Sequence, residues 1–154
     1  MSGIQQLTPF LMFQSGRAEE ALNFYVDLFD GEVVLIDRYG AETPGMNGQI
    51  RLATFVIAGT QVNIIDSPIQ HGFDFTPSMS LFFRATTQTE LERLWAGLLG
   101  EGGQALMPLG DYGFGPFGWL NDRYGVSWQL NLAEAGAGGT DDIPADGAGT
   151  ATEV

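Results

Sequence analysis

The chain has 154 residues, with six arginines, no lysine, no cysteine and nineteen acidic residues, for a net charge of −13. That length holds one domain or two small pseudo-repeats sharing one sheet, and the lack of cysteine excludes disulfides, thiolate metal sites and cysteine nucleophiles. The acidity argues against nucleic acid and anionic membrane as partners; with no apolar run near the ~18 residues of a bilayer span and no export signal in MSGIQQLTPF, a soluble cytoplasmic protein is expected.

The first half opens with LTPFLMF (7–13), an apolar run of strand length. Ala18, Ala21, Leu22, Tyr25, Leu28 and Phe29 then recur at helical spacing. Glu19 and Glu20 stand in the first turn, where the helix dipole favours anions, and Asp30-Gly31 stops the helix. EVVLIDRY (32–39) is β-branched and reads as a strand, and AETPGMNG (41–48) has loop chemistry. QIRLATFVI (49–57) and QVNIID (61–66) make a hairpin across Ala58-Gly59-Thr60. The order is βαβββ.

SPIQHGFDFTP (67–77) reads as a connector, after which the order repeats. SMSLFFRA (78–85) is a strand. The next helix carries Leu91, Leu94, Trp95, Leu98 and Leu99 on one face, with a threonine at 87 or 89 as its cap and Gly100, Gly102 and Gly103 at its end. QALMPL (104–109) is a strand, GDYGFGP (110–116) a glycine loop, and FGWLN (117–121) pairs with GVSWQLNL (125–132) across Asp122-Arg123-Tyr124. Similarity at a period of ~70 residues argues for a tandem α+β module. The domain is read as 1–132, with halves at about 5–66 and 78–132. From Ala133 the chain is rich in Gly, Ala, Asp and Thr, with five acids and no base, and reads as a disordered acidic tail, 133–154.

Two βαβββ units predict a cup-shaped curved sheet with helices on its outer face, and a cup holds ligands. The segments LTPFLMF, AEEALNFYVDLF, HGFDFTPSMS and above all FGWLNDRYGVSWQLN resemble the PhnB-like, demethylubiquinone methyltransferase-like family of the vicinal oxygen chelate (glyoxalase/bleomycin resistance/dioxygenase) superfamily. The last string is similar to that family's Gly-Trp-Leu-x-Asp-(Lys/Arg)-aromatic-Gly-x-Ser-Trp-Gln signature, and the resemblance covers roughly residues 5–132. It implies a small homodimeric protein of glyoxalase-like fold, its chains pairing edge to edge or exchanging halves, with FGWLN and LTPFLMF as interface elements.

The resemblance also implies a place for a divalent metal, on four cup-lining strands. Carried onto this chain, those positions are Pro9 or Phe10, Asn63 or its neighbour, Ser80 and Gln129, none an imidazole or carboxylate. No strong metal site and no other cofactor is therefore expected; a weak site through Asp66 or another carboxylate stays open. Gly113-Phe-Gly115-Pro-Phe-Gly118 matches GxGxxG in letters, but strand and turn follow it and Pro116 removes a donor, so it is not read as a phosphate loop. No room remains for a doubly wound S-adenosylmethionine domain. No Gly-x-Ser-x-Gly elbow accompanies the serines.

Strand alternation puts Ser127, Gln129 and Asn131 on one face of the last strand and Trp128, Leu130 and Leu132 on the other. The apolar face should pack on a helix, so the polar one should line the cup. The expected lining is Asn63, Ser80, Phe82, Arg84, Trp119, Gln129 and Asn131, with Phe117 among the aromatics and Arg51 as a second candidate cation. His71, Asp111 and Tyr112, on the connector and the glycine loop, are candidate lid residues. Three functions follow: a small-molecule-binding protein of unknown ligand, an enzyme of unassigned chemistry using Asp66, His71, Asp111 or Tyr112, and a dimeric interaction module whose polar cup residues bond only one another.

Overall fold

The computed structural model describes residues 3–133; the acidic tail read from the sequence lies, but for Ala133, outside them. The chain divides between Asp74 and Phe75 into two compact units. The first contains β1 (Phe10–Phe13), α1 (Ala18–Leu28), β2 (Glu32–Arg38), β3 (Ile50–Ile57) and β4 (Thr60–Asp66). The second contains β5 (Leu81–Ala85), α2 (Gln88–Leu99), β6 (Gln104–Asp111), β7 (Pro116–Asn121) and β8 (Ser127–Leu132). Each has its own four-stranded mixed sheet, ordered β1-β4-β3-β2 and β5-β8-β7-β6, so among the described residues the repeats do not share one hydrogen-bonded sheet as their length suggested. The first and last strands of each unit pair in parallel and the other neighbours are antiparallel. The α+β class and the tandem βαβββ order are therefore as expected.

In the first unit, α1 lies against β3 and β4. Its inward stripe is Ala18, Ala21, Leu22 and Tyr25, all fully buried, and the Tyr25 ring stacks on Phe55 at 6.2 Å. Removing each large apolar side chain from water contributes about 1.5–3 kcal/mol. Asp30 rather than Gly31 takes the left-handed conformation after the helix. Gly31 is needed for a different reason, because a Cβ there would meet the Val56 carbonyl. Ala58 and Gly59 both have positive φ and link β3 to β4 in a two-residue hairpin, Ile57 opposite Thr60.

In the second unit, Leu91, Leu94 and Leu98 form the buried stripe of α2. Trp95 is half-buried, its ring against the backbone of Gly118. Thr87 is the N-cap, accepting from the Glu90 amide, while Glu90 reaches back to the Thr86 amide. The glycine loop is shorter than its sequence predicts: β6 continues to Asp111 and β7 begins at Pro116, its partner in register. Pro116 is at the first residue of β7, a position where a missing N–H is tolerated. β7 has hydrogen-bonded neighbours on both sides, so FGWLN is not an edge available for pairing, whereas β1 is an edge.

Candidate functional site

Burial and register define two faces on each sheet. In the second unit, Gly118 approaches Trp95 of α2 and pairs with Leu130, so Leu130, Trp128 and Leu120 face the helix. The open face consequently carries Phe82, Gln129, Trp119 and Met107 in one row, and Arg84, Asn131, Phe117 and Gly110 in the next. Ser127 pairs with Asn121 on the same face, and Ser80 lies against Ser127. Six of the seven residues expected to line the cup thus share one surface, and the seventh, Asn63, belongs to the first unit.

A chain of hydrogen bonds crosses this face. The Trp119 indole N–H donates to Ser127 Oγ at 2.8 Å. Ser127 Oγ and Ser80 Oγ are 3.0 Å apart, and Gln129 Nε2 donates to Ser80 Oγ at 3.3 Å. Ser127 is buried, whereas Ser80, Trp119 and Gln129 are half-buried and Phe82 is 43% exposed. Asn131 is half-buried beside Arg84 in register. A polar strip along β8 therefore runs between an exposed phenylalanine on β5 and an indole on β7.

The first unit repeats the pattern with different chemistry. Tyr25 against Phe55 marks the helix face, so Thr54, Asn63, Phe10 and Met12 lie on the open one. Thr54 Oγ1 donates to Asn63 Oδ1 at 2.8 Å. Thr54 is buried and was not among the sequence candidates; a lone hydroxyl in IRLATFVI was its only signal.

The remaining candidates occupy other places. Asp66 is on the helix face of β4, 1% exposed. Its Oδ1 accepts from the Ala18 amide at 3.0 Å and its Oδ2 from the Ile50 amide at 3.1 Å. Arg17 at the N-cap makes no side-chain cap bond, so Asp66 closes the first turn of α1 from 48 residues away. Burial raises its pKa above the ordinary value, opposed by the two backbone donors, and the Glu19 charge adds to the rise. Arg51 pairs with Asp37 at 2.9 Å on the exposed surface.

His71 is fastened rather than loose. Its Nε2 is 3.1 Å from Ser67 Oγ, its amide donates to Gln14 Oε1 at 2.6 Å, and its ring stacks on Phe73 at 5.0 Å. Gln14 also donates to the Phe73 carbonyl and accepts at its own carbonyl from Gln70. Asp111 Oδ1 accepts from the Gly113 and Gly115 amides, and Tyr112 donates its hydroxyl to the Pro108 carbonyl at 2.6 Å. Both shape the β6–β7 turn, where Tyr112, Phe114 and Phe117 form an aromatic cluster. Asp122 is 3% exposed; it accepts from the Tyr124 and Val126 amides and from the Trp128 indole at 3.0 Å. The Asn-Asp-Arg-Tyr-Gly-Val-Ser-Trp string is thus a self-bonded hairpin turn.

The positions that the superfamily resemblance marks for a divalent cation fit one poorly. Asn63 Oδ1 is engaged by Thr54, Gln129 turns its NH2 toward Ser80, and Pro9 and Phe10 have no side-chain donor atom. No group of three or more His, Cys, Asp or Glu side chains placed to hold a metal occurs among the described residues. The GxGxxG letters span a strand end, a turn and the middle of β7, with no helix following. No helix among the described residues is long and apolar enough to cross a membrane.

A family model described as 3-demethylubiquinone-9 3-methyltransferase matches residues 5–131. Among curated proteins none matches. A PhnB protein from Bacillus cereus, carrying the same methyltransferase label, is 50% identical over 84% of this chain and 100% of its own, with a TM-score of 0.79. A protein from Pseudomonas aeruginosa is 27% identical over 84% of this chain and 98% of its own, with a TM-score of 0.72. A glyoxylase/bleomycin resistance protein/dioxygenase domain from Frankia is 16% identical over 88% of this chain and 95% of its own, and its TM-score of 0.59 shows the shared fold.

Proposed function

The chain belongs to the 3-demethylubiquinone-9 3-methyltransferase family, a PhnB-like branch of the vicinal oxygen chelate superfamily, and from that premise we propose that it is a small-molecule-binding protein whose ligand lies on the open face of the second sheet. The observation that carries the reading is the row Phe82, Gln129, Trp119, with Ser80 and Ser127 bonded into it. Aromatic walls with a few placed polar groups between them are the usual chemistry of a ligand site. Asn131 and Arg84, one row along, extend the contact surface.

The reading includes no tightly held divalent metal and no cofactor, because amides, a hydroxyl and an imino acid stand where imidazoles and carboxylates would be needed. Binding is favoured over catalysis because the titratable groups available for chemistry are committed elsewhere: Asp66 to a helix end, Asp111 and Tyr112 to a turn, His71 to its loop. Methyl transfer, as the family's label has it, would need a donor site that the strand-flanked glycines do not supply. A cytoplasmic homodimer completes the proposal. The edge strand β2 exposes Val33, Val34, Leu35 and Ile36, the apolar surface such an assembly would cover.

The test pairs native mass spectrometry with nuclear magnetic resonance. Protein purified without chelator should be a dimer free of stoichiometric metal, and fragments that bind should shift the Trp119 indole and Gln129 side-chain signals. One tightly bound metal per chain, or binding that leaves those signals unmoved, would sink the reading.

A further inference from the structure

Hydrogen-bond counting across the open face identifies the ligand chemistry, on the reading that this face is the binding site. An indole N–H is donor-only, so Ser127 Oγ accepts from Trp119. The hydroxyls of Ser80 and Ser127 share one hydrogen between them. If Ser80 supplied it, the Ser127 hydrogen would be buried with no acceptor in hydrogen-bond reach among the described residues, since even Asn121 Oδ1 across the strand makes no bond, a costly arrangement at 2% exposure. Ser127 therefore donates to Ser80. The Ser80 oxygen accepts a second time from Gln129 Nε2. Its own hydrogen is left to point away from both partners, and no side chain or carbonyl among the described residues takes it. Gln129 Oε1, at the other end of the amide that touches Ser80, likewise receives no donor among the described residues. Next to the exposed ring of Phe82 and in register with Trp119, the face thus offers one donor and one acceptor side by side; Asn121 Oδ1 and Asn131 Oδ1, buried on the same face, are further acceptors without a partner among the described residues.

We propose that this pair recognises a neutral carboxamide or lactam borne on a planar apolar group. An amide carbonyl accepts from the Ser80 hydroxyl while its N–H donates to Gln129 Oε1, and the attached ring lies on Phe82. A carboxylate has the same shape but only acceptors, so it would leave Gln129 Oε1 facing another oxygen. An ammonium has only donors and would leave the Ser80 hydrogen without a partner.

Benzamide and benzoate form the minimal pair, since they differ in the donor and the charge alone. Each is titrated into the intact protein with the Trp119 indole and Gln129 side-chain signals followed by nuclear magnetic resonance. Salt of about 0.5 M screens the protein's general repulsion of anions. Benzamide should bind about tenfold tighter than benzoate. Gln129→Met should weaken benzamide by about fivefold and leave benzoate unchanged or tighter, whereas Ser80→Ala should weaken both, since both accept from its hydroxyl, with the Trp95 and Trp128 indole signals reporting an intact fold. Benzoate binding as tightly as benzamide, or benzamide binding unchanged in Gln129→Met, would overturn the ligand class while leaving the site in place. If neither compound moves the Trp119 signal and unrelated fragments do, the class also fails and the site stands. If no small molecule moves it, both the class and the site fail together.

Discussion

Asn63 on β4 and Gln129 on β8 hold the same register in their sheets. Each lies beside a phenylalanine of the parallel strand, Phe10 or Phe82, and beside Thr54 or Trp119 of the antiparallel one. The two amides are nevertheless in different states. Asn63 Oδ1 is taken by a buried threonine hydroxyl, whereas Gln129 turns its NH2 to Ser80 and its oxygen receives no donor among the described residues. The repeated scaffold therefore bonds the amide through its oxygen in one unit and through its NH2 in the other.

That difference is measurable as coupling. Thr54→Val and Asn63→Ala should each cost about 1–2 kcal/mol, because each leaves a polar partner unmatched. Made together they should cost less than their sum, by about 0.5–1 kcal/mol. Urea denaturation of the two single variants and the double variant checks this; strict additivity would mean the 2.8 Å contact contributes nothing.

Asp66→Ala removes the acceptors of two amides, Ala18 and Ile50, at the start of α1 and of β3. A loss of about 3 kcal/mol is expected, with hydrogen exchange fastest at the first turn of α1. The pH dependence has a definite sign. Burial holds the folded pKa of Asp66 above its ordinary 3.8. Its contribution to stability is complete below 3.8 and is lost as pH rises through the folded value. Glu19 runs the other way. Its hydrogen bond to Arg38 lowers its pKa below 4.5, so its contribution exists above 4.5 and is lost as pH falls through the folded value. Denaturation of Asp66→Asn and Glu19→Gln across mildly acidic pH should remove one slope each, of opposite sign. Identical slopes in the two variants would refute the assignment.

Gly118→Ala should destabilise by about 1–3 kcal/mol, since the new methyl group would run into the Trp95 ring on the helix face. Trp95→Leu opens that space, so the double variant should recover part of the loss. Thermal denaturation of the set decides, and no recovery would place the strain in the backbone of β7 instead.

Asp122→Ala leaves the Tyr124 and Val126 amides and the Trp128 indole without their acceptor. It should cost about 3 kcal/mol and shift the Trp128 indole resonance. Asp122→Asn keeps Oδ1 for the two amides but turns an NH2 toward the indole, and should cost about half as much. Equal losses would show that the indole bond, rather than the turn, dominates.

The order βαβββ-βαβββ, both helix stripes and the two faces of β8 were legible in the sequence, because each depends on residues one to four positions apart. Alternation alone separated Gln129 and Asn131 from Trp128 and Leu130, and the Asp-Arg-Tyr-Gly turn set their phase. What lay beyond local reading was the partner of each polar group. Arg17-Ala18 contains no capping side chain, and the acceptor that completes α1 comes from Asp66 across the sheet. Asp111 and His71 read as free groups on loops, yet neighbouring amides and Gln14 engage them. Whether an amide is bonded through its oxygen or its NH2, as at Asn63 and Gln129, depends on atoms that the fold brings together from distant segments. Periodicity orients a side chain toward a face, but only tertiary packing decides what it finds there.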